Sequence, residues 1–162
     1  MTSACPHHPE TGRPTAAQIE RMMDAAAARV TGGGGRLTRP RRRVLELLLA
    51  AGGPVGAYDL VASFHPDRRV AKPATVYRAL HFLQTTGLVQ RLATVKAYVA
   101  CKPERLGSPA AFLLCDCCGA CREISSPGTA SLKAAATATG YAIERVTVEA
   151  QGLCAACRPE RP

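Results

Sequence analysis

Six of the eight cysteines fall into two short clusters. The first, Cys115-Asp116-Cys117-Cys118-Gly119-Ala120-Cys121, contains two overlapping Cys-x-x-Cys pairs, Cys115 with Cys118 and Cys118 with Cys121; the second is Cys154-Ala155-Ala156-Cys157. Thiolate sulfur is a soft ligand, and Zn²⁺ takes four of them tetrahedrally, so two such turns brought together from distant sequence close a structural metal site. Thirty-five residues separate Cys118 from Cys154. That is room for a strand, a helix and a strand, whose two ends the metal would pin together. The main rival chemistry is a redox dithiol at Cys154 and Cys157, which requires the pair to open a helix after a strand in a βαβ unit. Spacing alone leaves the register of the first cluster open. A zinc deaminase needs His-x-Glu upstream of Pro-Cys-x-x-Cys, and neither element is present. No nucleophile, base and orienter stand together elsewhere, so an enzyme is not expected and neither is a small-molecule substrate.

The redox compartment bears on this choice. No apolar run approaches the length of a bilayer span, and Met-Thr-Ser-Ala-Cys-Pro-His-His lacks the basic and apolar regions of a secretory signal. A cytoplasmic location is expected, without a membrane partner. In a reducing cytosol Cys-x-x-Cys pairs hold metal more often than disulfides.

The net charge of +9 is unevenly distributed: residues 36 to 105 hold thirteen Lys or Arg against Glu46, Asp59, Asp67 and Glu104, while residues 1 to 35 and 106 to 162 are each balanced, three against three and five against five. The whole excess lies in one segment, which is suited to a polyanion.

The elements that position these groups can be read from period and punctuation. Residues 15 to 30 carry Ile19, Met22, Met23 and Ala26 at helical spacing, and Gly32 to Gly35 read as a hinge. Thr38 as N-cap and Pro40 in the first turn open a second helix, whose Val44, Leu45, Leu47 and Leu48 run towards Gly52-Gly53-Pro54. A third helix fits Ala57 to Phe64. A fourth fits Pro73 to Thr86, with Val76, Leu80 and Leu83 as its buried stripe and Thr75, Arg78 and His81 on or near the opposite face. Leu88 to Ala93 and Ala97 to Cys101 read as a hairpin. This order, with a basic second helix, predicts a winged helix-turn-helix with the fourth helix in the major groove of double-stranded DNA. Lys102 to Ser108 reads as a linker. A small module follows: a strand from Ala111 to Leu114, a second from Arg122 to Ile124, an Ala-rich helix from Thr129 to Thr139, and an alternating stretch from Tyr141 to Ala150. Its few bulky residues make folding without a metal difficult.

Several runs, in this order, resemble the ferric uptake regulator (Fur) family, closest to its zinc uptake regulator (Zur) branch. They are Arg36-Leu-Thr-Arg-Pro-Arg-Arg-Arg-Val-Leu-Glu-Leu-Leu48, Ala57-Tyr58-Asp59-Leu60, Lys72-Pro73-Ala74-Thr75-Val76-Tyr77-Arg78-Ala79-Leu80, Cys115-Asp-Cys-Cys118-Gly and Gly152-Leu-Cys154-Ala-Ala-Cys157. The resemblance implies an α+β chain: a winged-helix DNA-binding domain over residues 15 to 101, after a flexible leader of residues 1 to 14, then a linker over 102 to 110 and a small α/β dimerisation domain with a four-cysteine zinc site over 111 to 162. It selects Cys115 and Cys118 as partners of Cys154 and Cys157. It also implies a homodimeric bacterial repressor that binds operators of zinc-uptake genes when zinc is plentiful. The alternative is a relative that answers to another metal or to thiol oxidation, or that lacks a working sensor. By the family pattern Tyr58 and Arg78 contact DNA; Thr75 and Tyr77 on the fourth helix, and Arg41 and Arg42 on the second, complete the candidate set.

The chain departs from the pattern at the regulatory zinc site, which in this branch takes two His, a Cys and a Glu. Cys101 and Glu123 match, but Gln90 stands at the first His position and the linker has no His. Cys121 and His81, with Cys117 as a substitute for the latter, are the replacement candidates, so one structural and one regulatory zinc ion per chain are expected. Cys5, His7 and His8 are further, weaker donors. The acid and Arg with which the branch pairs dimers on DNA are missing near Ala62 and His65.

Overall fold

The computed structural model describes residues 13–65, 71–102, 110–126, 128–143 and 146–158. They divide into two compact units, one within Pro9–Leu106 and one within Gly107–Pro162. Residues 1–12 of the leader, with Cys5, His7 and His8, and most of the linker lie outside the described residues.

In the first unit α1 (Ala16–Gly32) begins with a capping box: Gln18 N–H donates to Thr15 Oγ1, and the Thr15 N–H donates to the Gln18 side-chain oxygen. Met23, Ala26 and Val30 are its buried face. The glycines after it form a closed cap where the sequence suggested a hinge. Gly33 N–H donates to the Arg29 carbonyl and Gly35 N–H to the Val30 carbonyl at 2.8 Å, with Gly34 left-handed at φ 75°. Helix α2 (Arg39–Ala51) is capped by Thr38 through its backbone alone and stopped by left-handed Gly52. It buries Val44, Leu45, Leu48 and Leu49, leaving Leu47 on the flank of the stripe.

A two-residue strand, β1 (Val55–Gly56), leads into α3 (Ala57–Ser63); α4 (Pro73–Thr85) buries Val76, Ala79, Leu80 and Leu83. The wing is β2 (Val89–Leu92) with β3 (Ala97–Ala100), antiparallel from Val89↔Ala100 to Leu92↔Ala97, and β1 adds to the outer edge of β3. Two residues are too few to show a period, which is why β1 is invisible in the sequence. The helices and Leu88, Val89 and Tyr98 of the wing share one core.

The second unit is a three-stranded sheet in the order β5-β4-β6, from β4 (Ala110–Cys115), β5 (Cys121–Ser125) and β6 (Thr147–Gly152), with α5 (Thr129–Ala138) between the last two. β4 and β5 form a hairpin; β6 runs parallel to β4, which requires a crossover, here supplied by α5. Strand structure begins at Thr147, and Tyr141–Ile143 at the start of the alternating stretch are not strand. Among the described residues no helix is long and apolar enough to cross a membrane.

Leu83 is fully buried where α4 faces the core. Leu83→Ala is expected to cost about 2–5 kcal/mol, read from urea unfolding of the zinc-loaded chain followed by far-ultraviolet dichroism; a loss below about 1 kcal/mol would contradict this packing.

Candidate metal centre and nucleic-acid interface

The last residue of β4 is Cys115, and the chain turns back at once: Gly119 N–H donates to the Cys115 carbonyl and Cys115 N–H to the Ala120 carbonyl, both at 2.9 Å. Gly119 is left-handed at φ 72°, a conformation that a side chain at this tight turn would strain. The parallel register pairs Cys115 with Gly152, and Asp116 N–H donates to the Gly152 carbonyl at 2.8 Å, so the chain leaving β6 arrives beside the first turn. Cys157 N–H and Arg158 N–H then both donate to the Cys154 carbonyl, closing a second turn of the same kind.

The outcome is a cluster of four sulfurs, from Cys115, Cys118, Cys154 and Cys157, all within 4.8 Å of one another. Cys118 Sγ lies 3.8 Å from Cys154 Sγ. Tetrahedral ligands at a zinc–sulfur length of about 2.3 Å stand about 3.8 Å apart, so the arrangement fits zinc. Backbone N–H groups of Cys118 and Cys154 hold the Cys115 thiol down to about 6 against the opposing effect of burial, and the Cys154 N–H lies 3.3 Å from its sulfur. Cys118 is raised instead. The Ala120 N–H favours its thiolate, but burial and the Cys115 and Cys154 sulfurs outweigh it. A second thiolate beside the first needs a cation, which is the donor chemistry of a metal site.

Cys121, the other half of the overlapping pair, is not in the cluster; as the first residue of β5 it pairs with Leu114. Burial, then the carboxylates of Glu123 and Glu149, push its thiol up to about 11. Glu149 on β6 lies across Phe112 from Glu123, a neighbour that the distance along the chain concealed. Glu123 is buried and Cys117 exposed. In the other unit Cys101 is half-buried, its N–H donating to the Leu88 carbonyl at 2.9 Å, and His81 is exposed on α4.

The DNA-contact candidates all lie in the first unit. Tyr58, second residue of α3, is 85% exposed, unusual for an aromatic ring in a folded unit. Along α4, Tyr77 and Arg78 are exposed and Thr75 half-buried, with the Arg78 Nε–H folded back onto the Ala74 carbonyl. Arg42 pairs with Glu46 at 3.3 Å on the exposed side of α2. Arg41 differs: its guanidinium lies over the Phe82 ring.

If the four-sulfur cluster holds zinc, Cys154→Ser is expected to remove one tightly held zinc ion per chain. Limited proteolysis would then attack residues beyond 110 while the first unit stays resistant; an unchanged metal content would refute the ligand set. Known proteins are similar to this chain over most of its length. The sequence profile of the Ferric uptake regulator family matches residues 33–151. The Zinc uptake regulation protein of Escherichia coli (strain K12) is 38% identical over 124 residues, 75% of this chain and 72% of that protein. Two solved structures are similar over nearly their whole length. A zinc uptake regulator complexed with zinc and DNA has a TM-score of 0.79 at 34% identity, covering 89% of this chain and 96% of that one. The holo form of XcZur has a TM-score of 0.75 at 39% identity, covering 85% and 96%. With a four-cysteine cluster, a winged helix and this extent of likeness, the chain belongs to the ferric uptake regulator family, on its zinc uptake regulator side.

Proposed function

We propose that this protein is a zinc-responsive transcriptional repressor, cytoplasmic and not an enzyme, that binds operator DNA as a homodimer when zinc-loaded and controls zinc uptake. The observation that carries this reading is the exposed N-terminal half of α4, with Tyr77 and Arg78 outward, in the segment that holds the chain's whole positive excess. An outward Arg in the major groove can pair bidentately with guanine, and Tyr58, Thr75, Tyr77, Arg78 and Arg42 form the proposed contact set; Arg41, a candidate by sequence, is left out of it because its guanidinium lies over the Phe82 ring. The likeness to a regulator complexed with zinc and DNA supports the same conclusion.

Helix α5 buries none of its side chains within one chain, and Leu132, Tyr141, Val148 and Leu153 of its unit are exposed. That much uncovered apolar surface on a small unit supports a second copy as partner. Zinc enters this reading twice: structurally at Cys115, Cys118, Cys154 and Cys157, and as a regulatory ion with Cys101, Cys121, Glu123 and His81 as the proposed donors. Softer donors favour zinc over Fe²⁺ or Mn²⁺. A zinc ion supplies charge and fixed geometry to such donors; the chain supplies their placement.

The test is binding to a duplex that the zinc-loaded chain selects from random sequences, measured against buffered free zinc with metal content determined in parallel. Two zinc ions per chain are expected, the second lost to mild chelation together with DNA binding; one ion and chelator-insensitive binding would overturn the zinc response. Cys121→Ser should leave the fold intact and DNA binding indifferent to zinc. Arg78→Ala should weaken the selected duplex by about 1–3 kcal/mol and relax preference at one base pair.

A further inference from the structure

Helix α4 buries Val76, Ala79, Leu80 and Leu83 along one face, and its C-terminal end has further ties. Its N-terminal residues Lys72, Pro73 and Ala74 are exposed, as are Tyr77 and Arg78, while its C-terminal turn is gripped from three elements. From α1, the Arg29 Nε–H donates to the Thr86 carbonyl at 3.2 Å. From the glycine turn, Gly35 comes so close that a Cβ there would stand 3.4 Å from Phe82 Cζ and 3.1 Å from Val30 Cγ1. From α2, Arg41 lies with its guanidinium carbon 3.4 Å from the centroid of the Phe82 ring, and its Nη1–H donates to the Arg36 carbonyl at 2.6 Å.

Arg41 and Arg43 are half-buried, whereas Arg39 and Arg42 are exposed; Arg43 donates to the Phe64 and Ser63 carbonyls of the α3 end, which leaves Arg41 as the one of the two on α4. One face of its guanidinium is covered by an aromatic ring and one edge is committed to a carbonyl. A flat cation matches this double demand in a way an ammonium does not. Phe82 is thereby fixed from two sides, by the glycine turn and by Arg41. Since an α-helix rises about 1.5 Å per residue, Arg78 sits about 6 Å along the axis from Phe82, and Thr75 about 10 Å. A tilt at the clamped turn becomes a displacement at those side chains.

We propose that Arg41 is a positioning residue for α4: by stacking on Phe82 and holding the Arg36 carbonyl it sets the direction in which Tyr77 and Arg78 are presented, and it makes no contact with DNA itself. This rests on α4 being the helix that reads DNA. A phosphate contact and a clamp differ in their salt dependence. A cation that neutralises a phosphate releases counterions and adds to the salt slope of binding, and it serves any sequence equally; a clamp does neither.

The experiment uses the full chain loaded with zinc and four variants: R41A, R41K, F82L and the R41A/F82L double. Each is titrated against the duplex selected by the wild-type chain and against an unrelated duplex, over a series of salt concentrations. R41A and F82L should each weaken the selected duplex by about three- to thirtyfold, with an unchanged salt slope and nearly unchanged affinity for the unrelated duplex. The double variant should be no worse than either single one, and R41K, although charged, should behave as R41A does. The proposal is overturned if R41A lowers the salt slope by about one and weakens both duplexes alike. It is overturned equally if R41K restores binding or F82L is silent. Should R41A fail to fold by far-ultraviolet dichroism, F82L alone decides, because it removes the stack and no charge. A wild-type chain that prefers no duplex would overturn the repressor reading along with this proposal, whereas wild-type preference with a silent F82L overturns the proposal only.

Discussion

Four sulfurs within 4.8 Å of one another are the constraint on which the second unit depends. Neighbouring thiolates repel, and burial adds to the cost at Cys115 and Cys118, so joint ionisation of the cluster requires a cation among them. The rest of the unit is arranged to bring them there. Parallel pairing of β4 with β6 delivers Cys154 to Cys115, and the turn at Gly119 folds Cys118 back. Among the described residues of this unit the buried side chains are Ala111, Phe112, Leu114, Cys115 and Glu123. A core of that size leaves little margin against chain entropy, so a metal tying the end of β4 to the chain beyond β6 would do for this unit what a larger apolar interior does for the other.

The first unit is built on the opposite principle. Its stability comes from leucine, valine and alanine contributed by four helices and a wing, and its charge is left on the outside. With positive charge concentrated in residues 36 to 105, attraction to a polyanion is available wherever the unit approaches one; discrimination among sequences depends on which few side chains are aimed. The packing therefore has two tasks at α4, burying Val76, Ala79, Leu80 and Leu83 on one face and fixing the helix end so that the other face points consistently. Arg29, Gly35 and Arg41 meet the second need from three separate elements.

Tyr58 illustrates how a design of this kind leaves an apparent exception in place. An 85% exposed tyrosine forgoes apolar burial. The proposed function accounts for it by supplying DNA as the surface that covers the ring.

Much of this is local and was legible in the residues. The bounds of α2 followed from Thr38 and Pro40 at its start and Gly52 at its end, because capping and backbone freedom act over a few residues. The hairpin and the Cys-x-x-Cys turns were equally readable, since alternation and close spacing along the chain dictate them. What tertiary structure decided is everything that joins distant positions. Spacing left Cys118 with two partners, and the parallel register at Cys115 and Gly152 is what groups Cys115 with it and excludes Cys121 from the cluster. β1 exists because β3 offers it an edge. Arg41, one of three consecutive arginines and indistinguishable from its neighbours in sequence, differs from them through Phe82, forty-one residues away. Local rules set the elements, but a side chain's role depends on its neighbours in space, and those are fixed only when the core closes.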